Sequence, residues 1–275
     1  MSETTRTEAA AVSLTDRVAI VTGGGNGMGE RTAHTLSARG ATVVIADLDE
    51  ANGARVASAI AAEGGHALFV RTDATDEGSV RDLVVATKRE FGGIDILDNN
   101  AAALGLTRVD GAVLETSFDT FQATLRANVG GPFLMCQQVI PEMLARGGGS
   151  IINITSVSAL AGELALTAYG VSKAAVAQLT RAIATQYGPQ GIRCNSVAPS
   201  YVSTPNNAVL STSEIEQAYL RHTLTARTVS PQEVAEVVAF LASDAARQIN
   251  GHLIPVDGGM RAGAHTVADL RAVPA

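Results

Sequence analysis

The chain has 275 residues, 46% hydrophobic and 17% charged, with a formal net charge of −7. That is enough apolar material for a sizeable core in one large domain or two small ones; with no Trp and 4% aromatics the core must be aliphatic. The acidic balance argues against nucleic acid as the main partner, no apolar run is long enough to span a bilayer, and Cys136 and Cys194 fall in no CxxC or Cys/His cluster, which speaks against a metal site or a disulfide framework.

Met1 to Ser13 is polar, carries both charge signs and lacks the basic start and apolar centre of a signal peptide. It is expected to be a flexible tail on a soluble, cytoplasmic protein. Apolar, β-branched runs then recur at even spacing: Val18–Val21, Thr42–Ala46, Ala67–Arg71, Ile94–Leu97, Ser150–Ile154, Ile192–Val197 and His252–Val256 read as strands. Amphipathic or alanine-rich stretches between them read as helices over Glu30–Arg39, Asp49–Glu63, Glu77–Phe91, Phe118–Leu144, Ala168–Tyr187 and Pro231–Ser243. Strand and helix in alternation predict βαβ units. The expected fold is a doubly wound, Rossmann-type α/β domain with a seven-stranded parallel sheet and helices on both faces. No linker divides the chain, so one domain is expected over residues 14–262, with a C-terminal tail from 263 to 275. Ser200–Leu224 interrupts the alternation and is a candidate lid.

The first strand runs straight into Thr22-Gly23-Gly24-Gly25-Asn26-Gly27-Met28-Gly29, and a helix follows. Glycine allows a tight turn and close backbone approach to a ligand. The helix that follows aims unpaired N–H groups at the turn, a position that suits a pyrophosphate. The spacing is not the strict G-x-G-x-x-G fingerprint, but its place between strand and helix points to a dinucleotide. Asp47 ends the second strand, where a carboxylate can accept hydrogen bonds from a ribose diol and repel a 2′-phosphate. No Arg or Lys stands in the glycine loop or directly after Asp47, so NAD is expected rather than NADP. Asp49 is the better candidate for capping the next helix. Asp73 and Ala74 end the third strand and Asn99 and Asn100 the fourth, along one crevice.

Tyr169 and Lys173 are four residues apart near the start of a helix, so phenol and ammonium can converge. A nearby positive charge favours the phenolate, and such a pair can exchange a proton with an alcohol or ketone oxygen. Ser156 follows the fifth strand at the carboxyl edge of the sheet, where its hydroxyl can polarise a substrate oxygen. Asn128, followed by Val129-Gly130-Gly131-Pro132, suggests a local distortion of a long helix or a held water.

Taken in this order, Thr22-Gly23-x3-Gly27-x-Gly29, Asp73, Asn99-Asn100-Ala101, Asn128, Ser156, Tyr169-x3-Lys173, the run Arg193 to Pro199 and Asp257-Gly258-Gly259 resemble the short-chain dehydrogenase/reductase family, over roughly Leu14 to Met260. The resemblance implies hydride transfer at a nicotinamide coupled to proton transfer through Tyr169, with Ser156 orienting the carbonyl. Lys173 would hold the nicotinamide ribose and lower the tyrosine pKa, and Asn128 would place a water linking Lys173 to solvent. Gly23, Asn26, Gly27, Met28 and Gly29 would hold the pyrophosphate side. Pro199, Val202 and Thr204 would flank the nicotinamide; Asp47, Asp73, Ala74 and Asn100 would line the adenosine side. Three positions depart from the family pattern: Ala102 stands for a glycine, Asp98 for an apolar strand residue, and Ser200 for the glycine after Pro199.

The substrate is expected to touch Leu104–Thr116, Val157–Ala168 and Tyr201–Leu224. Leu104, Leu106, Leu160, Leu164, Leu166, Tyr201, Val209, Leu210 and Tyr219 suggest a moderately apolar alcohol or ketone, alicyclic or steroid-like; Glu163 and His222 are possible polar contacts. The helices around Phe118–Leu144 and Ala168–Tyr187 carry many apolar residues, and the resemblance implies that they pair between subunits of a homotetramer or homodimer. Competing readings are an NAD-sensing binding protein on the same fold, a 3-oxoacyl-thioester reductase-like enzyme, and an epimerase or dehydratase with a transient hydride transfer.

Overall fold

The computed structural model describes residues 12–204, 213–264 and 266. Seven parallel strands form one sheet: β1 (Val18–Thr22), β2 (Thr42–Asp47), β3 (Ala67–Arg71), β4 (Ile96–Asn99), β5 (Gly149–Ile154), β6 (Ile192–Pro199) and β7 (Leu253–Val256), in the order β3-β2-β1-β4-β5-β6-β7. Strand order reverses between β1 and β4, the switch point at which open α/β sheets open a crevice beyond their strand ends. The register there is Ala19 to Ile96 through Thr22 to Asn99, so both strands finish level. That brings the glycine loop beside Asn100 and Ala101.

The helices are α1 (Gly27–Ala38), α2 (Glu50–Ala62), α3 (Glu77–Phe91), α4 (Phe118–Leu125), α5 (Gly131–Ala145), α6 (Thr167–Tyr187), α7 (Ser213–His222) and α8 (Pro231–Ala242). Strands buried on both faces are continuous apolar runs, as a parallel sheet requires. One face of the sheet packs Val21, Val43, Ile45 and Ile152 against Leu36 of α1 and Val234, Val238 and Leu241 of α8. The other packs Ile20, Val44, Leu97 and Ile151 against Leu83 of α3 and Met135, Val139 and Met143 of α5. This core is aliphatic.

Two expectations shift. The fourth strand lies two residues later than the apolar run Ile94–Leu97, because the backbone pairing with β1 and β5 carries through Asp98 and Asn99. The buried Asp95 carboxylate instead accepts the Val18 N–H at 2.9 Å, bracing the start of β1. The long helix over Phe118–Leu144 is broken into α4 and α5 by a π-helical turn at Arg126–Gly130 that contains the buried Asn128. This is the distortion expected at Asn128, and π-turns widen a helix by one residue at the point where a side chain must be re-aimed. Asp49 caps α2 by accepting the Asn52 N–H at 3.0 Å, and Gly92 ends α3 at φ 80°.

Candidate active site

A cleft of about 510 Å³ opens at the switch point. One end is lined by Asp47, Asp73, Ala74 and Asn52, the middle by Gly23, Asn26, Gly27, Met28, Asn100 and Ala102, and the other end by Ile154, Tyr169, Lys173 and Thr204. Gly29, Asn128, Ser156, Pro199 and Val202 are not among its lining residues; Val202 is buried in a bridge to Val229. Of the anticipated substrate contacts, Val209 and Leu210 lie outside the described residues.

The glycine loop is built for close backbone approach. Gly23 has φ +63°, and a Cβ there would press on Ala101 Cα at 3.0 Å. A Cβ at Gly29 would collide with the Gly23 carbonyl. Asn100 ties the loop to β4: its backbone N–H donates to Thr22 Oγ1 at 3.0 Å and its amide nitrogen to the Thr22 carbonyl at 3.2 Å. Its own Oδ1 is buried without a protein partner. Asp47 accepts the Gly25 N–H at 2.9 Å through Oδ2 and the Asp49 N–H at 3.0 Å through Oδ1. Its position is therefore fixed by the loop it faces. Asp73 folds its Oδ1 back onto the Thr75 N–H at 2.8 Å, the turn-forming role such a residue has when read alone.

One basic group near this loop escapes a reading by local motif. Arg55 on α2 reaches the Gly25 carbonyl at 3.1 Å, and its guanidinium pairs with both Glu30 oxygens at 2.7 and 2.8 Å. It sits eight residues beyond Asp47 and six past the Asp49 cap, and only the packing of α2 brings it to the loop.

At the other end, α6 carries Tyr169 and Lys173 on one face. Lys173 is buried and donates to the Ile154 carbonyl at 2.9 Å, and its Nζ lies 5.5 Å from the Tyr169 ring centre. Burial pulls the Lys173 ammonium down to about 8. Burial also pushes the Tyr169 phenol up to about 12; its hydrogen bond with Ser156 works the other way, while the charge of Glu163 and nearby Tyr219 add to the rise. The expected lowering of the phenol by Lys173 is thus not what the chain provides by itself. The ammonium donates to the Ile154 carbonyl, and desolvation of a phenolate is the largest influence on the phenol.

Ser156 belongs to a short hydroxyl chain. Its Oγ donates to Ser158 Oγ at 3.1 Å, and Ser158 Oγ donates to Glu163 Oε1 at 2.5 Å. Glu163, though exposed, is thereby a neighbour of the reacting groups; His222 is exposed at the end of α7. Tyr201 and Tyr219 stack at 5.3 Å. Asn128 is held at both ends of its amide: Oδ1 accepts the Ala103 N–H at 2.9 Å, and Nδ2 donates to Ser172 Oγ at 3.0 Å.

A half-buried phenol and a buried ammonium at the end of the cleft, with the Ser156 hydroxyl next to the phenol, can move a proton on and off an oxygen held there. Known proteins similar to this chain identify its family. A family model described as "Enoyl-(Acyl carrier protein) reductase" matches residues 23–261. A protein of Bradyrhizobium diazoefficiens described as a probable short-chain type dehydrogenase/reductase is 43% identical over 253 residues, covering 92% of this chain and 90% of the relative. The cis-4-hydroxycyclohexanecarboxylate dehydrogenase of Sinomonas cyclohexanicum is 39% identical over 250 residues, covering 91% of this chain and 98% of the relative. The solved structure of a 7α-hydroxysteroid dehydrogenase complexed with NADH and 7-oxo glycochenodeoxycholic acid superposes with a TM-score of 0.87 at 35% identity, over 91% of this chain and 96% of that one. This chain belongs to the short-chain dehydrogenase/reductase family of oxidoreductases.

Proposed function

We propose that the protein transfers a hydride between NAD(H) and a moderately apolar secondary alcohol or ketone, alicyclic or steroid-like, with Tyr169 as the acid/base. The observation that carries this reading is that Tyr169 and Lys173 line the same cleft whose far end is lined by Asp47. Relatives named for a hydroxycyclohexane carboxylate and a hydroxysteroid support the substrate class.

The cleft fits a dinucleotide: its middle is a glycine cradle that a Cβ would fill, and the orphaned Oδ1 of Asn100 is available to a donor on the ligand. Gly23, Asn26, Gly27, Met28 and Gly29 would hold the pyrophosphate, with Asp73, Ala74 and Asn100 on the adenosine side. Asp47 would take the ribose diol. Its negative charge, with the Arg55 guanidinium already satisfied by Glu30, supports NAD over NADP. Thr204, 8% exposed and beside Gly27, would border the nicotinamide with Pro199 and Val202. When bound, NAD⁺ supplies the hydride acceptor and a positive ring that favours a phenolate nearby.

The chain supplies the rest. In alcohol oxidation Tyr169 Oη takes the hydroxyl proton, and in ketone reduction it gives that proton back. Ser156 holds the same oxygen. Lys173 has three donors; Ile154 takes one, leaving two for the nicotinamide ribose and the proton path. Asn128 holds the loop at Ala103 and the helix at Ser172, and would position a water beside Lys173.

Exposed Phe118 on α4, Phe133 on α5 and Val171 on α6 support pairing of these helices across a homodimer or homotetramer interface. Among the described residues no helix is long and apolar enough to cross a membrane, and a cytoplasmic location suits the reading.

The test is a panel of secondary alcohols with NAD⁺ and NADP⁺ side by side, following reduced cofactor. Turnover with NAD⁺ that falls about 10²–10⁴-fold in Tyr169→Phe is expected. A protein that binds NADH yet reduces no cofactor with any alcohol is instead a nucleotide-sensing protein.

A further inference from the structure

The catalytic helix α6 begins without a cap of its own. Its entry residue is Leu166, whose side chain cannot accept a hydrogen bond and whose backbone is left-handed at φ 62°, ψ 39°. The first N–H groups of a helix must find acceptors, and a carboxylate is favoured at that positive end. Here the acceptor comes from another segment. Asp110, 4% exposed, follows the 3₁₀ turn Leu104–Val109. Its Oδ1 accepts the Ala168 N–H at 2.9 Å, and its Oδ2 accepts the Tyr169 N–H at 2.8 Å from 59 residues away. Its backbone carbonyl accepts the Leu166 N–H at 2.9 Å, and the next carbonyl, Gly111, accepts the Thr167 hydroxyl at 2.9 Å. The Thr116 hydroxyl lies 3.2 Å from Asp110 Oδ1 and shares its one proton with the Gly111 and Ala112 carbonyls at 3.1 and 3.2 Å, which ties the carboxylate to its own turn.

The other side of the same residue is also held. The Tyr169 carbonyl accepts Ser172 Oγ at 2.6 Å, and Ser172 accepts Asn128 Nδ2 at 3.0 Å. Asn128 in turn accepts the N–H of Ala103, in the segment that leads to Asp110. A ring of hydrogen bonds therefore runs from Asp110 through Tyr169, Ser172, Asn128 and Ala103 back to the segment that carries Asp110. That segment also lines the cleft, at Ala101 to Leu104.

We infer that Asp110 is a positioning residue: its carboxylate fixes the backbone of Tyr169, and so the phenol, relative to the cleft wall that holds the cofactor. This rests on Tyr169 acting as the acid/base. An ordinary cap would stabilise the helix alone. This one couples the helix start to the cleft wall, and a misplacement of about 1 Å at a reacting group costs on the order of 10²-fold in rate.

Asp110→Asn keeps the size but places an amide N–H₂ against a backbone N–H. Hydrogen exchange of the peptide spanning residues 164–172 reads the clamp without any turnover: faster exchange there, with the rest of α6 unchanged, is expected. With cyclohexanol and its carbinol-deuterated form, kcat should fall about 10²-fold and the primary isotope effect should rise, while the KM for NAD⁺ stays within about twofold. A purely structural role would lower kcat only in proportion to the folded fraction and leave the isotope effect unmoved; that result, or unchanged exchange, overturns the inference. Should Asp110→Asn fail to fold, Thr116→Val is read the same way, with a smaller rise in the isotope effect supporting the clamp and none overturning it. If the unaltered protein oxidises no alcohol, the proposed reaction fails, and the exchange data still decide the clamp.

Discussion

Ser158 Oγ lies 2.5 Å from Glu163 Oε1, and this contact sets the direction of the Ser158 hydroxyl. An ionised carboxylate only accepts, so the Ser158 proton points at Glu163. Ser158 then has its oxygen free to accept, and the Ser156 proton points at Ser158. Ser156 Oγ also accepts the Ser158 N–H at 3.2 Å, and in this arrangement it meets the substrate with its remaining lone pair, which suits an alcohol better than a carbonyl. Glu163→Gln can donate to Ser158 and reverse the chain. A small carboxamide that mimics a ketone should then bind the NADH complex about 5-fold more tightly, the worth of roughly one net hydrogen bond. Its inhibition constant is the measurement, and an unchanged constant would show that Glu163 does not orient Ser156.

Lys173 is expected to act through its charge as well as its donors. Lys173→Met removes both from a buried position beside Tyr169. Turnover should drop about 10²–10⁴-fold, and NADH should bind more weakly because the ribose loses its ammonium partner. Titration of NADH fluorescence separates the two effects; full-strength binding would remove Lys173 from the ribose site.

Asp98 is a buried carboxyl on β4 with neither oxygen partnered, flanked in register by Val21 and Ile152. Burial pushes it from 3.8 up to about 8. Between these values the unfolded chain has released a proton that the folded chain keeps, so this group's contribution to stability falls as pH rises through the window and is level on either side. Asp98→Val should stabilise the protein by about 2 kcal/mol or more at neutral pH, since an unsatisfied buried polar group is removed. The melting temperature would rise by roughly 5 °C. The gain should grow between pH 5 and pH 8; thermal melts across that range showing a constant gain would count against the burial of a titrating carboxyl.

The proposed preference for NAD rests on two carboxylates, Asp47 and Glu30. Asp47→Ala should lower the ratio of kcat/KM for NAD⁺ over NADP⁺ by about 10-fold or more, by removing a repulsive charge worth upwards of ~1.4 kcal/mol against a 2′-phosphate. Adding Glu30→Gln releases Arg55 from its pair beside the glycine loop and should push the ratio further toward NADP⁺. If the double variant matches Asp47→Ala alone, Arg55 does not reach the phosphate position.

Much of this was readable along the chain. The strand and helix periods, the glycine loop, the Asp49 cap and the one-turn spacing of Tyr169 and Lys173 each depend on residues within a few positions of one another. Local sterics and hydrogen bonding decide such features. The interruption at Asn128 was also legible, because Gly and Pro follow an amide within an apolar run. The two-residue shift of β4 was not, since pairing with β1 and β5, rather than hydrophobicity, set where the strand lies.

What only the packed molecule decided joins segments far apart in sequence. Asp110 gave no local sign of capping a helix 59 residues later, although Leu166 ahead of that helix left its first N–H groups without a partner. Arg55 came to the glycine loop only through the docking of α2, and the hydroxyl chain from Glu163 needed the fold of the segment after β5. The direction of the Tyr169 shift has the same origin. Spacing along a helix brings an ammonium near a phenol, but the depth of burial around both, a property of the whole chain, raises the phenol and lowers the ammonium.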